Sequence, residues 1–242
     1  MAQHSIYVGF DPREAAAFAV TADSARRRAN SPIPIMGIVL QDLVDRGLYR
    51  RPMEYRGNHL WDEISDAPCS TQFAISRFFT PALALEHDNA EWALFQDCDM
   101  LWRAPPERVF RLADPQYAVM CVKHAHRPTE TEKMDGQVQT NYARKNWSSF
   151  CLFNLKHPSN QALDLGLLNK APGRDLHRFC WLKDEEIGEL PMEWNWLVDY
   201  SPPVDDPKCV HFTNGTPDMP GYESAPYADE WRAALTLWAA QQ

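Results

Sequence analysis

The sequence predicts an α/β fold in which a mixed, mostly parallel central sheet is flanked by helices, and three observations carry that expectation. A strand-like opening passes through a marked helix start into a second strand. An apolar run in the middle of the chain ends on two carboxylates. Short β-rich runs then alternate with helical stretches up to an amphipathic terminus.

Residues 5–10, Ser-Ile-Tyr-Val-Gly-Phe, read as the first strand. Asp11 follows as a helix N-cap, Pro12 takes the first helical position, and Glu14 stands where a capping box closes. The Ala-rich helix behind them runs to Arg26-Arg27-Arg28, whose charges suit the C-terminal end of a helix dipole. Residues 33–40 form the second strand, completing a β-α-β unit of the kind that builds doubly wound sheets. Phe73, Ala74, Phe78, Ala82 and Leu85 recur close to a helical period over residues 70–85, with a kink expected at Pro81. That helix delivers the chain to the strand Trp92-Ala93-Leu94-Phe95. Further strands are expected at 117–122, 150–153 and 209–212. Helices are expected at 161–168 and 227–240, the latter with Trp231, Leu235 and Trp238 on one face. Residues 123–145 are polar and aperiodic, long for a loop in a compact domain, and are expected to lie near a substrate.

No Gly/Ser-rich or low-complexity stretch marks a linker in the 242 residues, so one domain spanning 1–242 is expected. With 45% hydrophobic and 24% charged residues, the chain is able to bury a substantial core. Its formal charge of -9 gives no global electrostatic reason to bind nucleic acid or an anionic bilayer. Neither a signal peptide nor a membrane span is apparent, and a cytoplasmic location is expected, with loose membrane association left open. The six cysteines are scattered without a CxxC pair, which predicts buried free thiols in a reducing compartment.

Asp97-Cys98-Asp99 directly follows the apolar strand. Side chains two residues apart on an extended segment share a side, so both acids face one point at the carboxyl end of a strand, where α/β folds bind ligands. Two like charges about 4 Å apart repel by roughly 4 kcal/mol in a partly shielded site, and a divalent cation relieves that repulsion. His211, at the end of the late strand and before Thr213-Asn214-Gly215, is a candidate third ligand or a core histidine. The resulting O,O,N set leaves positions open for diphosphate oxygens and suits Mn²⁺ better than Mg²⁺. His124 and His126 form a second histidine pair, read either as a surface feature or as an acceptor contact. Trp147, Trp194 and Trp196 are read as core residues or as sugar-stacking rings.

In order along the chain, Tyr7-Val8-Gly9-Phe10-Asp11, Ser76-Arg77-Phe78, Phe95-Gln96-Asp97-Cys98-Asp99, 147–154, Asp184-Glu185-Glu186-Ile187 before 190–195, and Val210-His211-Phe212-Thr213-Asn214-Gly215 resemble the landmarks of the family-eight glycosyltransferases, the glycogenin-like and galactosyltransferase-like enzymes of GT-A fold. The resemblance spans most of the chain. The 147–154 stretch lacks the family's glycine and first asparagine, and the Asp184 segment also departs from the pattern.

The resemblance implies a nucleotide-binding half at 1–122 and an acceptor-side half at 123–242. It implies a metal held by Asp97, Asp99 and His211, and a nucleotide-sugar, a UDP-sugar, bound around Val8, Gly9, Asp11, Arg77, Cys98, Asn214 and Gly215. Transfer to a glycan or small-molecule hydroxyl with retention follows from the same resemblance. Asp184 and Glu185 are either contacts to the transferred sugar or part of a solvated acidic face, and Arg77 either pairs with Asp97 or a phosphate or forms a helix-surface salt bridge. Two alternatives stand beside transfer: a haloacid-dehalogenase-like phosphatase with Asp97 as nucleophile, and a non-catalytic sugar-nucleotide or glycan-binding module.

Overall fold

The computed structural model describes residues 4–87, 90–125, 144 and 146–241. The chain opens with β1 (His4–Gly9), a 3₁₀ turn at Pro12–Glu14, α1 (Ala15–Arg28), β2 (Ile35–Ile38) and α2 (Leu40–Asp45). A meander of β3 (Met53–Arg56), β4 (His59–Asp62) and β5 (Ala67–Cys69) precedes α3 (Phe73–Ser76), α4 (Thr80–His87), β6 (Trp92–Gln96), β7 (Met100–Trp102) and α5 (Glu107–Phe110). The rest comprises β8 (Val119–Cys121), β9 (Phe150–Asn154), α6 (Leu165–Leu168), α7 (Gly173–His177), β10 (Ile187–Glu189), β11 (Trp196–Leu197), β12 (Cys209–His211) and α8 (Ala228–Ala239).

The central sheet has six strands in the order β10-β8-β9-β6-β1-β2, every neighbouring pair parallel except the two made by β9. This is the mixed, mostly parallel sheet that the opening unit predicts. A second sheet, β11-β12-β7, runs β12 antiparallel to β7, and α1 and α8 pack over it through Val20, Leu101, Val210, Phe212 and Trp231. Trp231 is buried on the face of the last helix that its spacing marks. Among the described residues, no helix is long and apolar enough to cross a membrane. All six cysteines are free; five are buried, whereas Cys180 is exposed.

Four expectations change, the first being the helix at 161–168, where a 3₁₀ turn at Pro158–Ala162 ends at Leu163 before α6 begins. The stretch 70–85 is not one kinked helix: a 3₁₀ turn at Arg77–Phe79 separates α3 from α4, and Pro81 lies in the first turn of α4, where its missing N–H costs nothing. The second strand is shorter than residues 33–40, because Leu40 already begins α2. The meander β3–β5 was unforeseen, since Glu54, Tyr55 and Arg56 are exposed and the segment lacks an apolar alternation. Of the polar stretch 123–145, residues 126–143 and 145, and with them His126, lie outside the described residues.

The meander is tied down by Arg51 and Asp62, whose side chains are 0% exposed. Arg51 Nε and Nη2 meet the two Asp62 oxygens at 3.0 and 2.5 Å, and Nη1 donates to the carbonyls of Leu168 and Ala171 at 2.8 Å each. One guanidinium thus joins the meander to the α6–α7 segment. Arg51→Met is expected to destabilise the protein by about 3–5 kcal/mol in urea unfolding, because it leaves the Asp62 charge buried and unpaired. Adding Asp62→Leu should recover most of that loss.

Asp11 caps the Pro12–Glu14 turn as expected, yet it does more. One carboxylate oxygen accepts from Arg13 N at 2.9 Å and Nε at 3.0 Å, the other from Arg13 Nη2 and Gln72 N at 2.9 Å each. Burial by itself would raise its pKa; the bonds from Arg13 and Gln72 outweigh burial and hold it below the usual aspartate value. The stabilisation is therefore complete above about pH 4 and is lost as pH falls through the lowered pKa. Asp11→Asn is expected to lower stability at about pH 7 and to flatten its acid dependence below about pH 4, as read from urea midpoints across pH.

Candidate metal centre

The site lies at the carboxyl edge of the central sheet, where the chain leaves β6 and turns into β7. Asp97 N donates to the Ser149 carbonyl at 2.9 Å, so the first carboxylate still belongs to the sheet. Thr21 of α1 braces the turn from beneath: its Oγ1 bonds the Cys98 carbonyl, lies 2.7 Å from the Met100 carbonyl and accepts from Met100 N at 2.9 Å. Extended backbone sends alternate side chains to opposite sides. Cys98 is accordingly buried, with its thiol donating to Glu14 at 2.8 Å, while Asp97 and Asp99 turn to the cavity. Burial pushes the Cys98 thiol well above its ordinary pKa, and the Glu14 carboxylate adds to this, so the sulfur stays protonated.

The third group arrives by strand register. β12 runs antiparallel to β7 with His211 opposite Met100, and Phe212 N donates to the Asp99 carbonyl at 2.9 Å. His211 Nε2 lies 3.2 Å from Asp99 Oδ1 as a result. One ligand atom each from Asp97, Asp99 and His211 can be chosen so that all three lie within 4.8 Å of one another. Two carboxylate oxygens and an imidazole nitrogen at such separations form a donor set of the right chemistry for a divalent cation.

Arg77 balances part of the negative charge. Its Nη1 lies 2.8 Å from Asp97 Oδ1, and the guanidinium is anchored by the carbonyls of Ser148 (3.0 Å), Ala74 (3.1 Å) and Phe73 (3.3 Å). It is buried, so the helix-surface alternative does not hold. His177 sits behind it, with Nδ1 2.6 Å from Ser148 Oγ. Burial, reinforced by the Arg77 charge, lowers the His177 pKa to about 3, which keeps that imidazole neutral beside the site.

The cavity of about 280 Å³ beside the three groups is lined by Arg13, Glu14, Arg77, Asp97 and Asp99 on its charged side. Ser70, Thr71, Phe73 and the segment Phe212–Thr216 complete most of the wall. Asn214 and Gly215 are part of that segment, Asn214 accepting from the Tyr200 hydroxyl at 3.0 Å. A Cβ at Gly215 would come within 2.7 Å of the Tyr222 ring, and one at Gly9 within 2.4 Å of Phe73. Both glycines therefore permit close packing around the site.

Other expected residues are placed elsewhere. Val8 is fully buried in β1, and Asp11 is consumed by Arg13 and Gln72, so neither lines the cavity. Asp184 and Glu185 precede β10, which runs parallel to β8 and so starts at the edge of the sheet opposite Asp97. The Asp184 side chain is 86% exposed and pairs with Arg144. Glu185 is exposed as well. Trp194 is core, packed 6.0 Å from Trp102. Arg13, Thr71 and Thr216 were missed by the sequence reading, and only the closeness of Arg13 to Asp11 and of Thr216 to His211 signals two of them.

No protein-family model matches the chain. Among solved structures it resembles the bifunctional glycosyltransferase WbbM in its apo form, with a TM-score of 0.63 and 15% identity over 100% of this chain and 52% of that one. This chain thus spans about half the length of WbbM. It also resembles the galactosyltransferase LgtC solved with donor and acceptor sugar analogs, at a TM-score of 0.59 and 12% identity over 96% of this chain and 95% of that one. Mouse xyloside xylosyltransferase 1 gives a TM-score of 0.52 at 12% identity, covering 88% and 98% of the two chains. At such identities the likeness is one of fold, and the fold is GT-A. Among curated proteins, Protein CDI of Arabidopsis thaliana is 42% identical over 231 residues, covering 93% of this chain and 83% of that protein. With that identity over nearly its whole length, the chain belongs to the family of Arabidopsis Protein CDI.

Proposed function

We propose that the protein is a metal-dependent glycosyltransferase, moving a sugar from a nucleotide-sugar, specifically a UDP-sugar, to a hydroxyl of a glycan or small-molecule acceptor. The observation that carries the proposal is the convergence of Asp97, Asp99 and His211 beside a cavity at the carboxyl edge of a GT-A sheet. Solved glycosyltransferases of the same fold support it, one of them holding donor and acceptor sugar analogs.

The electrostatics of the cavity bear on how such a donor is held. Among the described residues three acids and two arginines line it, so this part of the wall is by itself net acidic and unsuited to a diphosphate. Asp97, Asp99 and His211 would hold the divalent ion, Mn²⁺ by the nature of the donor set and Mg²⁺ as the alternative. Such an ion, when bound, neutralises charge on the diphosphate leaving group. Arg77, fixed by three carbonyls, holds its positive charge 2.8 Å from Asp97 whether or not a donor is present. Among the described residues, Glu14 is the acidic group turned to the cavity besides Asp97 and Asp99, and we assign no covalent nucleophile. Retention belongs to the proposal on the strength of the motif resemblance. The phosphatase alternative, with Asp97 as nucleophile, is disfavoured by the Arg77 contact and by the fold.

Calorimetry with UDP, GDP and several nucleotide-sugars is expected to show UDP binding that needs Mn²⁺. Asp99→Ala should weaken it at least about tenfold while circular dichroism stays native. UDP binding that ignores the metal would sink the proposed site. For whichever nucleotide-sugar is turned over, proton NMR of the first-formed product should show the anomeric coupling of the donor; an inverted anomer would remove retention.

A further inference from the structure

A second inference rests on the metal-binding reading above and concerns what prepares His211 for it. An imidazole ligates a cation through an unprotonated nitrogen, and the partner of its other nitrogen decides which one that is. His211 Nδ1 lies 2.8 Å from Asn195 Oδ1, while Nε2 faces Asp99. A neutral imidazole and a primary amide can each be turned either way, so this pair alone does not place the proton.

The next partners do. Ser149 Oγ donates to the Asn146 carbonyl at 2.6 Å. A hydroxyl has one proton to give, so towards Asn195 it only accepts, and the group facing it at 2.9 Å is the Asn195 amide Nδ2. The remaining amide atom is then the carbonyl oxygen, an acceptor, and His211 Nδ1 must carry the hydrogen that meets it. The polarity of the whole chain is set at the Asn146 carbonyl, which accepts and cannot donate. Asn195, Ser149 and His211 are all buried, which shields the order from competing water.

We propose that Asn195, backed by Ser149 and the Asn146 carbonyl, is a positioning residue that locks His211 in its Nδ1–H tautomer and presents the Nε2 lone pair to the two carboxylates. A lone pair 3.2 Å from the Asp99 oxygen is an arrangement that a cation between them relieves. Ser149 serves both halves of the ligand set, because its carbonyl accepts from Asp97 N at 2.9 Å while its hydroxyl orients Asn195. The sheet edge and the histidine are therefore set by the same residue.

Two measurements test this. Long-range ¹H–¹⁵N spectra of the metal-free protein at about pH 8, above the ordinary imidazole range, should show His211 protonated on Nδ1. Mn²⁺ titration by calorimetry should show roughly 10–100-fold weaker binding in Asn195→Leu, which keeps the bulk but offers no acceptor, together with a shift towards the Nε2–H form. Asn195→Asp keeps an acceptor on Nδ1 and should stay within about threefold of the unmodified protein. An Nε2–H tautomer in the unmodified protein would overturn the proposal, as would a folded Asn195→Leu variant with unchanged affinity and tautomer. Should Asn195→Leu fail to fold, Ser149→Ala replaces it: release of the amide should mix the two tautomers, and an unmixed spectrum counts against the relay. An Nδ1–H spectrum in a protein that takes up no Mn²⁺ would instead leave the relay standing and remove the metal reading.

Discussion

Two carboxylates held at the mouth of a buried strand repel each other, and the surroundings of Asp97 and Asp99 are organised by that repulsion. On one side Arg77 is pinned by three backbone carbonyls, so its charge stays beside Asp97. On the other, β12 brings His211 to Asp99 through its register with β7. Thr21 bonds the Cys98 carbonyl between them and accepts from Met100 N, which keeps the turn from opening as the charges push apart. The compensation is partial. What is left over is the net acidic concave wall to which a divalent ion and an anionic donor together are complementary.

The rest of the fold keeps these parts from drifting. Asp11 spends its carboxylate on Arg13 and on the amide before α3, fixing one wall of the cavity against the end of β1. The buried Arg51–Asp62 pair fastens the β3–β5 meander to the α6–α7 segment, and His177 from the same segment reaches Ser148 behind Arg77. Burial, the force that holds His177 neutral, also makes a loss of packing in that region felt at the arginine. Structural and functional polar groups thus share partners, with Ser148 and Ser149 as the meeting point of β9 and the site.

Legibility followed the physics of each segment. Trp92–Gln96 was readable as a strand because it is buried on both faces, and the acids behind it stood out against that apolar run. His211 was readable for the same reason, as the polar end of Cys209–His211. The Pro12 turn and the last helix carried local signals, a fixed φ with a cap and a one-sided aromatic stripe. The meander carried none, because its strands are short and its outer face is charged. Asp184 and Glu185 were ambiguous for a different reason. A run of acids resembles a motif in one dimension, but the direction of β10 decides which end of the sheet it reaches. The roles of Asn195 and Ser149 behind His211 were silent in sequence, because the bonds that join them to each other and to His211 link separate segments of the chain.

By itself the sequence determined the α/β class, the β-α-β opening and the position of the two carboxylates at a strand end, and it marked His211 as a candidate to join them. Those properties depend on local periodicity and residue chemistry, which the chain order records directly. Only the tertiary structure decided that Arg77 is buried against Asp97, that Asp11 faces Arg13 instead of the cavity, that Asp184 pairs with Arg144, and that Asn195 stands behind His211. Except for Asp11 and Arg13, which are two residues apart, these contacts join residues far apart in the chain and are set by register or by the orientation of a buried hydrogen bond, which leaves no signature within a window of neighbouring residues.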